Sequence, residues 1–212
     1  MPKTLPPQLK PRKTPVQKRS AASVEAIREA TIQVLLSVGK ERLTTTRVAA
    51  RAGVSVGTLY QYFPNKSSLL QAVMKAHLDT VYRAVETACE SAKGLPLAQM
   101  ADVLVAGFLK AKMKNEATSR ALYLVSDDVG GAEIVRANAL RGVKAIAAML
   151  ESSPDTLRGE PLVVASTLMA AMTGVSRRMI EAGPQPRMME AMRQELGVLA
   201  RAYLAACDAT RR

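Results

Sequence analysis

The chain of 212 residues contains no tryptophan and very little histidine, cysteine or aromatic side chain. Its single histidine is His77, and its two cysteines, Cys89 and Cys207, lie far apart in the sequence. This set matches no spacing typical of a metal site or of a redox-active cysteine pair. We therefore expect no metal and no cofactor, a structural role for His77, and reduced cysteines in a cytoplasmic protein.

Long apolar runs are also missing. None reaches the roughly 20 residues that a membrane-spanning helix needs, and no apolar block follows the basic amino terminus as it would in a secretory signal. Hydrophobic residues still make up 48% of the chain. Because β-branched and aromatic residues are not enriched outside short runs, this composition predicts an all-α fold and no membrane partner.

The positive charge is concentrated in the first third of the chain. The net charge is +12, and residues 1–75 contain thirteen lysines and arginines against three acidic residues. Residues 76–212 contain seventeen lysines and arginines against fifteen acidic residues. This asymmetry indicates a polyanion-binding module joined to a domain with another task. A basic surface that serves only solubility is the alternative, but it does not explain the asymmetry.

Residues 1–20 are rich in proline, lysine and arginine and show no apolar periodicity. They predict a flexible basic arm. Such an arm either follows DNA phosphates or enters a minor groove, or it is a tail without specific contacts. The sequence leaves both alternatives open.

The segment 44–66 predicts two short helices joined by a tight turn. Thr44 or Thr45 suits the N-cap of the first helix, and Ser55 suits the N-cap of the second. Gly53 stands where a chain leaves a helix in the left-handed conformation, and the second helix must end before the proline of the segment. Two helices joined in this way form a helix-turn-helix, whose second helix enters the major groove of DNA.

Apolar periodicity predicts further helices on both sides of this segment. A helix from Ser23 to Gly39 has one continuous apolar face and completes a three-helix, helix-turn-helix domain over residues 21–66. Residues 67–212 predict a larger helical domain, which begins with a connecting helix over residues 67–90. Its other helices are predicted at about 97–113, 116–126, 132–151, 161–182 and 187–206.

The pattern T-T-x-x-V-A-x-x-A-G-V-S-x-G-T-L-Y-x-Y-F-x-x-K at residues 44–66 resembles the TetR family of bacterial transcriptional regulators. The resemblance extends over residues 23–75. It implies a homodimer that binds a double-stranded DNA operator, and a larger domain for ligand binding and dimerisation. The most direct expectation is a repressor that a small-molecule effector releases from its operator. An architectural or nonspecific nucleic-acid-binding protein without a ligand is the alternative, and no enzyme activity is expected.

The resemblance also implies which residues contact DNA. The predicted contacts are Thr44, Thr45, Ser55, Val56, Gly57, Thr58, Tyr60, Gln61, Tyr62 and Lys66. Gly57 would allow close approach to the duplex, and Lys66 would hold a phosphate beside a helix N-terminus. The second helix has no arginine, lysine or asparagine, so few side chains can read bases. Gln61 either reads adenine or faces inward.

An effector pocket is implied within residues 95–182. The flexible, mostly apolar candidates for its lining are Met100, Leu104, Phe108, Met113, Tyr123, Met149, Met169 and Met172. For each residue taken singly the core is the stronger interpretation, because a methionine at helical spacing is more often a core residue. The apolar stretches 162–175 and 188–203 suit a dimer interface, with burial inside one monomer as the alternative. Asp127 and Asp128 are interpreted as loop residues, because no histidine or cysteine near them suggests catalysis.

Overall fold

The computed structural model describes residues 18–126, 130–183 and 185–210. Within these ranges the chain forms nine helices, and none of them is long and apolar enough to cross a membrane. The helices are α1 (Lys18–Arg42), α2 (Thr45–Ala52), α3 (Val56–Tyr62), α4 (Lys66–Ala92), α5 (Leu97–Met113), α6 (Glu116–Val125), α7 (Gly131–Glu151), α8 (Pro161–Ala182) and α9 (Pro186–Ala206). The predicted all-α fold is confirmed.

The beginning of α1 differs from the sequence-based boundary. The helix starts at Lys18 rather than at Ser23, because good helix formers precede the serine and extend the helix past its capping signal. The last three residues of the predicted arm are therefore helical, and its first seventeen residues lie outside the described part of the chain. Gly39, where the sequence predicts the end of the helix, breaks the helical geometry with a φ of 75°, and a short helical segment follows it up to Arg42. Asp127 and Asp128 also lie outside the described residues.

The described residues form two compact units. One unit contains the residues up to His77 together with Ala121–Ile134, and the other contains Leu78–Arg120 together with the residues from Val135 onward. Helix α4 contributes residues to both units.

The first unit is built around the packing of α1 on α2 and of α2 on α3. Its core contains the apolar face predicted for α1, with Ile27 fully buried. Val48 of α2, Leu59 of α3 and Phe63 after α3 are buried as well. This core holds the two short helices in a defined orientation, since a helix of seven or eight residues is unstable alone.

The second unit is built around α5, which packs against α9 and α8. Glycines permit two close helix approaches here. A Cβ at Gly107 of α5 would lie 2.8 Å from the Cβ of Ala88 of α4, and one at Gly142 of α7 would lie 2.8 Å from the ring of Tyr82. Arg141 of α7 adds a polar link to α4, because its guanidinium donates to two carboxylates there, Asp79 and Glu86. The hydrogen bonds from Arg141 lower the pKa of both carboxyl groups.

Candidate nucleic-acid interface

The helix-turn-helix is held by caps at each junction. The hydroxyl of Thr44 accepts from the backbone N–H of Arg47 at 3.2 Å, so Thr44 rather than Thr45 caps α2. Gly53 adopts the left-handed conformation, with a φ of 68°, and ends that helix. The hydroxyl of Ser55 accepts from the backbone N–H of Thr58 at 3.0 Å and caps α3. These local bonds determine the angle at which α3 leaves the turn.

Helix α3 has one buried residue and an otherwise accessible surface. Leu59 is fully buried, whereas Gly57, Tyr60 and Gln61 are exposed. Because Gln61 is exposed, it does not face the core, and its reading of adenine stays a prediction. Among the other predicted contacts, Thr44 and Ser55 are exposed and Thr45, Val56, Thr58, Tyr62 and Lys66 are partly buried.

Two hydroxyl pairs order the side chains on this surface. The hydroxyl of Tyr60 lies 3.0 Å from that of Thr45, which joins α3 to the beginning of α2. The hydroxyl of Thr58 lies 2.8 Å from that of Ser55. In a pair of hydroxyl groups one donates to the other, so the second hydrogen stays available to an external acceptor such as a phosphate oxygen.

Three cations of α2 and the beginning of α4 donate to backbone carbonyl oxygens or to a neutral side chain. The Nζ of Lys66 donates to the carbonyl oxygen of Lys40 at 2.6 Å, which links the beginning of α4 to the end of α1. On α2, Arg47 donates to the carbonyl oxygen of Arg42 at 3.1 Å, and Arg51 donates to the side chain of Gln33. Sequence reasoning did not single out Arg47 or Arg51, although both are exposed.

The predicted effector-pocket residues are not all brought together. Six of the eight are buried in the core of the second unit, each at most 3% exposed: Met100, Leu104, Phe108, Met149, Met169 and Met172. Tyr123 belongs to the other unit and is partly buried. Met113 is partly exposed and lines an open groove.

This groove, which we call the α5/α9 groove, has a volume of about 510 Å³. Its lining residues come from α5, α8 and α9: Asp102, Val105, Ala106, Leu109, Lys110, Met113, Met179, Arg193, Gln194, Gly197, Val198 and Arg201. The volume lies within the range typical of small-molecule sites.

A buried lysine lies in α5 directly before the groove-lining Met113. Lys112 is 5% exposed, and burial lowers the pKa of its ammonium group to about 8. The described residues contain no group of three or more histidine, cysteine or acidic side chains that could hold a metal ion. The pKa of Cys89 is raised to about 12, chiefly by burial, so this thiol is a poor nucleophile at neutral pH.

Comparisons with known proteins agree with the helix-turn-helix geometry. Residues 27–73 match the family model of bacterial regulatory proteins of the tetR family, and residues 96–204 match the model of the tetracyclin repressor-like C-terminal domain. The model of the C-terminal domain alone covers more than half of the chain.

Individual relatives show shorter similarities in sequence. The nucleoid occlusion factor SlmA of Pasteurella multocida is 37% identical over 73 residues, which cover 31% of this chain and 37% of that protein. The class C tetracycline repressor protein of Escherichia coli is 44% identical over 54 residues, which cover 26% of this chain and 25% of that protein. The chain thus spans about a third or less of the length of these relatives.

The fold is similar over nearly the whole chain. A crystal structure of a TetR-family transcriptional regulator from Mesorhizobium loti matches with a TM-score of 0.73 at 18% identity, and the match covers 91% of this chain and all of that one. Family models account for the helix-turn-helix and for the second domain alike. The chain therefore belongs to the TetR family of bacterial regulatory proteins and is a helix-turn-helix, DNA-binding transcriptional regulator.

Proposed function

We propose that this regulator is a homodimeric repressor, that it binds a double-stranded operator in the cytoplasm, and that a small-molecule effector releases it. In this proposal residues 21–66 bind DNA, and residues 67–212 dimerise and bind the effector. The observation that carries it is the exposed surface of α3, where Gly57, Tyr60 and Gln61 are accessible while Leu59 anchors the helix.

Recognition would combine weak base readers with phosphate contacts. The exposed amide of Gln61 can pair with adenine, and Gly57 leaves space for the sugar-phosphate backbone. Lys66 would reach a phosphate only if its ammonium shares its hydrogens between Lys40 and the DNA. The exposed Arg47 and Arg51 add charge for phosphates beside α3.

A measurement of specificity tests this step. Genomic fragments that bind the purified protein would be sequenced, and the affinity for the recovered site would be compared with that for a shuffled site at one fixed salt concentration. A regulator of this kind should prefer its site by at least about a thousandfold. Gln61→Ala should reduce that ratio, whereas Gln99→Ala on α5 serves as the control and should leave it unchanged.

Dimerisation is supported by apolar residues that remain exposed on α8 and α9. Leu162 and Val163 of α8 are 52% and 62% exposed, and Met188 and Leu199 of α9 are 52% and 46% exposed. Such exposed apolar residues are typical of a subunit interface. A two-fold dimer would present two α3 helices to successive major grooves, about 34 Å apart. A ligand that favours another spacing would weaken binding to the operator.

A substitution that introduces a charge among the exposed apolar residues of α9 tests the proposed dimer interface. Leu199→Glu should produce a monomer in sedimentation at micromolar concentration, whereas the wild type should be a dimer. Leu140→Glu is the matched control, because Leu140 is a similarly exposed leucine on α7. A monomeric wild type, or equal effects of both substitutions, would contradict the proposed interface.

A second candidate is a DNA-binding protein that responds to no ligand. It is favoured by the similarity to a protein named as a nucleoid occlusion factor rather than a repressor. A screen of small molecules against the complex of the protein with its recovered site separates the two candidates. Release by at least one compound supports the repressor, and specific binding that no compound changes supports the second candidate.

A further inference from the structure

From the α5/α9 groove we infer a binding site for a small amphiphilic anion, with one carboxylate or sulfonate group on an apolar body. The inference deepens the proposed function, since it gives the effector domain a ligand class, and only the effect of that ligand on DNA binding rests on that function. The predicted methionine-rich pocket is a different place, because six of its eight residues are buried in the core and only Met113 lines the groove.

The groove combines an apolar floor with a basic rim. Its apolar side chains come from α5, α8 and α9, and they include Val105, Leu109 and Met179, which are each at most 5% exposed. Methionine adapts its shape to different apolar ligands, so a floor that contains it tolerates some variation in the body of the ligand. An apolar surface of this kind favours a hydrocarbon or aromatic body over a purely polar one.

The rim carries three cationic side chains and one carboxylate. The cations are Lys110, Arg193 and Arg201, and the carboxylate is Asp102. All four are exposed, so they are accessible to a ligand from solvent. When Glu190, which pairs with Arg193, is also counted, the rim keeps an excess of one positive charge, which matches an anionic head group rather than a cationic one.

Both arginines keep donors for that head group. Arg201 donates Nη1 to Asp102 at 2.5 Å, and Arg193 donates Nε and Nη2 to Glu190. No residue in the described part of the chain accepts a hydrogen bond from the remaining N–H groups of either guanidinium. Lys110 has no carboxylate partner within the same ranges. An anion seated at the rim would therefore receive charge-assisted hydrogen bonds without displacing an internal ion pair.

The groove stays open in the proposed dimer. Successive residues of a helix are about 100° apart, so two positions that differ by two lie nearly opposite each other. Leu199 is on the exposed apolar face of α9, while Gly197 and Arg201 line the groove. Gly197 and Arg201 therefore lie nearly opposite the proposed interface on α9, whereas Val198 of the groove lies between the two sides. A ligand has access to the dimer from the side of Gly197 and Arg201.

Gly197 gives a direct way to fill the groove. A Cβ at this position would have Arg201 Nη1 as its nearest neighbour at 3.5 Å, which is an ordinary contact. Gly197→Phe should therefore fold and occupy the groove, and Gly197→Ala should fold and leave it mostly open. Both substitutions remove a glycine from a helix interior, so melting temperatures at or above that of the wild type are expected.

The test uses octanoate as the anionic probe and 1-octanol as its neutral counterpart, in isothermal titration calorimetry with the full chain. We expect octanoate to bind, and 1-octanol to bind at least tenfold more weakly. Gly197→Phe should abolish octanoate binding, and Gly197→Ala should keep it within about twofold of the wild-type value. Arg201→Gln should weaken it about tenfold, since a hydrogen bond to a charged group is lost.

Arg177→Gln is the control for Arg201→Gln, because Arg177 is an exposed arginine on α8 that pairs with a carboxylate, as Arg201 does, but does not line the groove. It should leave octanoate binding unchanged. Absence of octanoate binding, or equal binding by the wild type and Gly197→Phe, would overturn the inference.

The operator assay distinguishes this outcome from failure of the proposed function. If octanoate binds in the groove but does not release the protein from DNA, the inferred binding site is supported and an effector role for this ligand is contradicted. If another compound releases DNA while octanoate binds wild type and Gly197→Phe alike, the proposed function stands and the groove site falls.

Discussion

The hydroxyl pair of Thr45 and Tyr60 offers a sharp test of how this protein holds DNA. Their oxygens lie 3.0 Å apart and join α2 to α3, with Tyr60 41% exposed. Tyr60→Phe removes one hydroxyl and keeps the ring, so the packing of α3 should not change. Thr45→Val removes the other hydroxyl with nearly the same volume.

The expected loss follows from the hydrogen bonds at stake. A neutral hydrogen bond contributes about 0.5–1.5 kcal/mol, and one to a charged phosphate about 1.5–3 kcal/mol. After Tyr60→Phe the hydroxyl of Thr45 can still donate to DNA, so the loss should be about 1–2 kcal/mol, or roughly five- to thirtyfold in Kd. The double variant should lose less than the sum of the single losses, with a coupling of about 1 kcal/mol.

Fluorescence anisotropy with the site recovered from genomic fragments would measure these affinities. Because no charge is removed, the dependence of Kd on salt should keep its slope in all three variants. Tyr203→Phe on α9 is the matched control and should bind DNA as the wild type does. Binding of Tyr60→Phe within twofold of wild type, or strictly additive losses, would refute a joint role for the two hydroxyl groups.

Three further predictions concern stability, measured by denaturant or thermal unfolding. Gly53→Ala should cost about 1–2 kcal/mol, since an L-residue is strained at its φ of 68°; an unchanged midpoint would contradict this. Gly142→Ala should destabilise by about 1 kcal/mol, since overpacking against Tyr82 outweighs the gain in helix propensity. Gly174→Ala, whose Cβ would meet nothing within 4 Å, is its control and should stabilise by about as much. Lys112→Met should stabilise by roughly 3 kcal/mol below pH 8. Between pH 8 and 10.5 the unfolded wild-type chain binds more protons than the folded one, so the stability of the wild type rises with pH in this range. The stabilisation by Lys112→Met should therefore vanish above pH 10.5. A stabilisation that does not depend on pH would refute burial of the charged ammonium as its cause.

Local signals in the sequence predicted most helix boundaries. Helices α5 (Leu97–Met113) and α8 (Pro161–Ala182) have the predicted limits. A proline precedes α5, a proline begins α8 and a glycine follows α8, and these residue types mark the ends of helices. The start of α1 was wrong, because a capping serine inside a run of helix formers does not by itself begin a helix. Periodicity identified the apolar faces of helices in the second domain but could not distinguish a pocket from a core, since both use the same spacing.

Local signals in the sequence could not predict contacts between residues that lie far apart in the sequence. The bond from Lys66 to Lys40 joins residues 26 positions apart, and the ion pair of Arg201 with Asp102 joins residues 99 positions apart. Because of the first bond, Lys66, which was predicted to contact DNA, also links the beginning of α4 to the end of α1. The second forms part of a groove whose lining comes from three helices, and only Met113 of the predicted pocket residues belongs to it.

The sequence by itself determined the fold class, the family and the helix-turn-helix, because caps, glycine turns and apolar faces act over a few residues and leave a readable pattern. The tertiary structure alone decided which side chains those elements bring together. It left Gln61 exposed, paired Tyr60 with Thr45, buried four of the five methionines predicted to line a pocket and opened the α5/α9 groove. The physical reason is that side-chain neighbours across helices depend on crossing geometry, which local periodicity does not encode.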